Sequence, residues 1–92
     1  MNIRELHAEM TEEEELLYLG SGDGEFDKSI IGLSYIPTLG HHVVVYAIGG
    51  VLKCLMEQGM NDEEAEEWYS YNIASAYMGE RTPIYVSETV EA

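Results

Sequence analysis

The chain has 92 residues, 46% of them apolar, and a formal net charge of -14 that sets 18 acids against Arg4, Lys28, Lys53 and Arg81. That length holds one core and excludes two domains, while the apolar share belongs to a folded globule rather than a disordered acidic tail. The charge repels phosphate backbones and anionic lipid, which excludes direct nucleic-acid and membrane-surface binding, and no run approaches the ~20 apolar residues that span a bilayer.

The amino terminus, Met1 to His7, is polar and lacks the apolar run of a signal peptide. Cys54, the single cysteine, has no internal disulfide partner, so a reducing cytoplasm is the expected location. Ile3, Leu6, Met10 and Leu17 lie along an interrupted apolar stripe. Thr11 with Glu14 reads as a capping box that puts Glu12 to Glu15 at a helix start. The first twenty residues are therefore predicted to form a two-part helix broken near Thr11. Leu16 to Leu19 reads alternatively as a short strand, because four consecutive apolar residues do not fix a period.

Gly20 to Gly24 is a loop. Residues 28 to 36 and 41 to 48 are predicted strands joined by the Pro37-Thr38-Leu39-Gly40 turn, hence an antiparallel hairpin. Val43 to Tyr46 is too continuously apolar for a strand with one wet face and belongs inside the sheet. Gly49-Gly50 ends that strand. Val51, Leu52, Leu55 and Met56 then take helical spacing, and Gly59 closes the helix in a left-handed cap that Met60 covers. Asn61 and Glu64 form a second capping box, with Asp62, Glu63 and Glu64 opposing the helix dipole.

On the helix that follows, Ala65, Trp68, Tyr69, Asn72, Ile73 and Ala76 share one broad face, and Glu63, Glu66, Glu67 and Ser70 share the other. Trp68 and Tyr69 are read as core anchors, and Asn72 as a buried amide with a structural hydrogen bond. Gly79, at positive φ, ends this helix within two residues, Pro83 prevents continuation, and residues 82 to 87 return as a third strand. The expected fold is α+β, a single-domain two-layer sandwich. A β-hairpin and a third strand pack against an αα-hairpin, behind an N-terminal helical segment.

The series Phe26-Asp27-Lys28-Ser29-Ile30-Ile31-Gly32, Val43 to Tyr46, Lys53 to Met60, Tyr69-Ser70-Tyr71-Asn72, Ala76-Tyr77-Met78-Gly79 and Thr82-Pro83 resembles a family of small phage and prophage proteins over about residues 26 to 86. The resemblance implies a viral or mobile-element origin, and so a host-cell cytoplasm, without implying an activity. It leaves residues 1 to 25 as a variable segment. Family members usually carry Tyr-Asp-Tyr where this chain has Tyr46-Ala47-Ile48; if that aspartate serves a shared ligand, this chain has lost it.

No residue set spells out a reaction. His41 and His42 are strand neighbours that face opposite sides, so they do not share a metal. Asp23, Glu25 and Asp27 alternate about glycines, but with Gly24 at the sixth position of a calcium loop Leu19 occupies the first ligand position. Gly49-Gly50 lacks the lysine and further glycines of a phosphate loop. The expectation is a non-enzymatic protein with no cofactor and no metal. Two functions follow. The first is a protein binder that inhibits a host nucleic-acid-handling or defence protein by meeting its basic surface with Glu12, Glu13, Glu63, Glu66 and Glu67. Five carboxylates on the six residues Asp62 to Glu67 give one charge per ~1.8 Å of axis, against ~1.7 Å for duplex DNA. The alternative is a dimeric small-ligand module with a pocket of Tyr46, Tyr71, Asn72, Tyr77 and the Gly49-Gly50 turn, prompted by seven tyrosines.

Overall fold

The computed structural model describes residues 3–12, 15–20, 24–74 and 79–87. Their order is α1 (Ile3–Met10), β1 (Ile30–Ile36), β2 (His41–Ala47), α2 (Ile48–Glu57), α3 (Asp62–Tyr69) and β3 (Ile84–Val86). A 3-10 turn (Asp27–Ser29) leads into β1, and a π-helical turn (Ser70–Ala74) extends α3. The fold is α+β, as the sequence predicts.

The sheet order is β1-β2-β3. β1 and β2 pair antiparallel, with Leu33 opposite Val44 and Ile36 opposite His41, and Gly40 at φ +73 closes the turn between them. β3 lies parallel to β2, with Tyr85 beside Tyr46. β2 is the central strand, which accounts for its unbroken apolar run. Val44 and Tyr46 project into a core completed by Phe26, Val51, Cys54, Leu55, Ala65 and Ile73. α2 begins at Ile48 directly after β2, so Gly49 and Gly50 lie within its first turn rather than in a separate loop. Its end is a Schellman cap: Gly59 sits at φ +110, its N–H donates to Met56 O, and Met60 N–H donates to Leu55 O.

α3 opens with the predicted capping box in both directions. Asn61 Oδ1 accepts from Glu64 N–H at 2.8 Å, and Glu64 Oε1 accepts from Asn61 N–H at 3.0 Å. Gly79 has φ +90, and its carbonyl accepts from both the N–H and the hydroxyl of Thr82, a turn that precedes the buried Pro83. Where α3 gives way before Gly79 falls on residues 75–78, outside the described residues.

The N-terminal segment departs from its prediction. Thr11 ends a helix instead of starting one, because its hydroxyl donates back to His7 O at 2.8 Å and Glu12 takes the left-handed φ of +56. The expected capping partner Glu14 lies outside the described residues. Leu16 to Leu19 form neither helix nor paired strand: this irregular stretch packs Leu16, Tyr18 and Leu19 against the core. The segment is tied to the globule by specific polar contacts. Arg4 Nε and Nη2 donate to Asp27 Oδ2 and Oδ1 at 2.9 and 3.0 Å, and its guanidinium lies 4.3 Å from the Tyr18 ring centroid. His7 is 2% exposed, stacks on Tyr18 and shares a 2.8 Å hydrogen bond between Nδ1 and the Tyr18 hydroxyl.

Candidate functional site

The inward face of α3 is narrower than its sequence periodicity implies. Ala65 and Ile73 are buried and Tyr69 packs on the core, but Trp68 is 40% exposed and Asn72 lies on the surface. Both readings are corrected: Trp68 is not a core anchor, and Asn72 is not a buried amide. Asn72 Nδ2 donates only locally, to Trp68 O at 3.2 Å. For Asn72 the cause is the π turn at Ser70–Ala74; Trp68 precedes it, at the edge of the inner face of α3. Widening the hydrogen-bonded ring lowers the rotation per residue from about 100° to roughly 80°. Counted from Tyr69, that lag swings Asn72 off the inner face and turns Ile73 to its centre.

Glu64, Glu67 and Trp68 of α3 and Tyr71 and Asn72 of the π turn form one outer stripe, and these five residues line an open cleft of about 280 Å³. Tyr71 is 75% exposed. Glu63, Glu66 and Glu67 are all exposed, as expected from the sequence, so α3 offers a carboxylate-rich surface with two aromatic rings set into it. Glu12 is exposed in the turn after α1 and does not belong to this stripe. Glu13 lies outside the described residues. Glu64 and Trp68 were missed as surface residues of interest, although the i, i+3, i+4, i+7, i+8 spacing of the stripe was there to be read.

The residues of the alternative pocket do not converge. Tyr46 is fully buried and its hydroxyl accepts Leu19 N–H at 2.7 Å, so it is a structural strut. Burial pushes its phenol up to about 12, and that of Tyr85, stacked on it at 5.8 Å, to about 12 as well. Gly50 is a packing glycine: a Cβ there would stand 2.7 Å from Ser29 Cβ. Gly49 is exposed, Tyr71 and Asn72 join the α3 cleft, and Tyr77 lies outside the described residues. Four of the tyrosines, Tyr18, Tyr46, Tyr69 and Tyr85, are used in or against the core.

A second concavity of about 360 Å³ lies between the β1–β2 turn and the approach to β3, lined by Ile36, Leu39, Val43, Gly79, Glu80, Thr82 and Ile84. It is apolar apart from Glu80 and Thr82. Cys54 is buried, and desolvation raises its thiol above the usual range, which disfavours the thiolate. Among the described residues no group of three His, Cys, Asp or Glu side chains could hold a metal ion, and no helix is long and apolar enough to cross a membrane. Compared with protein-family models, curated proteins and solved structures, the chain finds no match.

Proposed function

We propose that this chain is a non-enzymatic protein-binding module that engages a basic protein surface through the outer face of α3. One observation carries the reading: Trp68 and Tyr71 stand exposed among the carboxylates of Glu63, Glu64, Glu66 and Glu67, while Ala65, Tyr69 and Ile73 hold the helix to the core. Tryptophan and tyrosine are the residues that anchor protein interfaces, and leaving two of them wet on one face forgoes their burial in the core. The surrounding carboxylates steer a cationic partner and reject an anionic one. Their spacing along α3, close to that of duplex phosphates, supports a nucleic-acid-handling protein as partner, with its basic groove occupied and its activity inhibited. The resemblance to phage proteins supports a host target of this kind, a defence protein among them.

The test is charge reversal. Glu63→Lys, Glu66→Lys and Glu67→Lys together leave the fold intact, since exposed substitutions shift stability by less than about 0.5 kcal/mol each and the repulsion relieved is about 0.2–0.5 kcal/mol per pair. From a bacterial lysate at low salt, the immobilised wild-type chain is expected to retain a basic protein that the reversed chain loses. Physiological salt should weaken its retention, and duplex DNA should displace it. A partner held equally by both chains, and indifferent to salt and DNA, contradicts the proposal.

A further inference from the structure

We infer that the cleft on α3 is an arginine-recognition site: the guanidinium of a basic partner segment stacks on Trp68 and Tyr71 while the carboxylates of Glu64 and Glu67 accept its N–H groups. This rests on the reading of α3 as a face for a basic protein, and it names the group anchored there. The five lining residues recur at positions 64, 67, 68, 71 and 72, so two acids, two aromatics and an amide follow one another along one stripe over two helical turns. Tyr71 and Asn72 stand four residues beyond Glu67 and Trp68, so the stripe continues past the end of α3 into the π turn. Such turns recur at functional sites because they re-aim side chains at a cost in helix stability.

The chemistry selects arginine over lysine. A guanidinium is planar, stacks on aromatic faces and forks its donors onto carboxylates, whereas an ammonium is a compact, strongly hydrated point charge. Arg4 uses this mode within the molecule. Arg4 lies over the Tyr18 ring and donates to both oxygens of Asp27 at 2.9 and 3.0 Å. The α3 cleft presents the same pair of groups, aromatic face and carboxylate, in duplicate and open to solvent. Glu64 already accepts Asn61 N–H through Oε1, which fixes its carboxylate and leaves its second oxygen for the incoming group. Asn72 spends its amide N–H on Trp68 O, and its amide oxygen offers a further acceptor at the cleft wall.

Trp68 is the single tryptophan, so its emission reports on this cleft alone. The full chain is titrated with a hexa-arginine and a hexa-lysine peptide, at low ionic strength and at physiological salt, with calorimetry in parallel. Hexa-arginine is expected to change Trp68 emission saturably and to bind about fivefold or more tighter than hexa-lysine. Tyr71→Ala, Glu67→Gln and Glu64→Gln should each weaken it about three- to tenfold, the last while retaining an acceptor for the cap. The double variant Glu63→Gln/Glu66→Gln, which removes charge beside the cleft, should weaken it about twofold or less. Heat of binding without a Trp68 response overturns the arginine site but leaves the acidic-face reading standing. So do equal affinities for the two peptides, or equal losses in all the variants. No heat with either peptide overturns both.

Discussion

At position 50 a single methyl group decides whether α2 can sit against the turn before β1. A Cβ on Gly50 would lie 2.7 Å from Ser29 Cβ and 3.1 Å from Ser29 Cα, and Ser29 is itself buried and held by a 2.6 Å hydrogen bond to Phe26 O. Backbone and a locked side chain do not yield, so Gly50→Ala is expected to destabilise by about 1–3 kcal/mol. Its neighbour makes the control. A Cβ on Gly49 meets nothing within 4 Å, and Gly49 lies in the same helix. Gly49→Ala should stabilise by about 0.5–1 kcal/mol through helix propensity alone. Urea melts of the two variants check the pair, and equal effects or the reverse order contradict this packing. In the sequence the two glycines read alike, as a loop and a pocket rim. Which of them touches another part of the chain depends on Ser29, far from both in sequence, and no local pattern carries that.

At the scale of elements, the hairpin and the two long helices were legible because their signals are local. A Pro-to-Gly turn, a continuous apolar strand, a glycine cap and a capping box each report on neighbours a few residues apart, and each is found in place. What was illegible depends on distance or on a change of period. The π turn alters the rotation per residue within one helix, so extrapolating the 3.6-residue period turned Asn72 inward. The docking of α1 rests on Arg4–Asp27, a pair 23 positions apart, and on His7 beneath Tyr18.

That docking has a pH signature. Burial lowers the His7 imidazole below its ordinary value of 6.5, against a smaller opposing pull from Asp27, and burial raises the Tyr18 phenol so that it stays neutral. With the folded value depressed, the unfolded chain binds the proton first as pH falls. The contribution is therefore whole above about 6.5 and declines as pH drops from there toward the depressed folded value. Between about pH 7 and 5 the stability of the wild-type chain should fall relative to His7→Gln, with His41 and His42 common to both proteins. Urea melts at stepped pH measure the difference, and parallel pH profiles contradict a buried neutral His7 that holds α1.

For the whole molecule, β3 returns parallel to β2 after a crossover through α2 and α3, so those helices and the sheet enclose one core. The direction of a three-residue strand is set by where the chain emerges from α3, which is why it had no local signature. One consequence of this arrangement is that α3 faces the core with Ala65, Tyr69 and Ile73 and faces solvent with its acids and two rings. A net charge of -14 spreads a negative potential over the entire surface, and that field alone would attract any cation weakly and everywhere. The central claim is that attraction is concentrated on the outer face of α3. The direct measurement is a backbone amide chemical-shift titration of the full chain with hexa-arginine at physiological salt, where diffuse attraction is screened over about 8 Å. Saturable shifts confined to Glu63 through Asn72, with the Trp68 indole N–H largest among them, are the expected result. Shifts scattered over acids throughout the chain, Glu12 and Glu80 as strongly as Glu67, would contradict it.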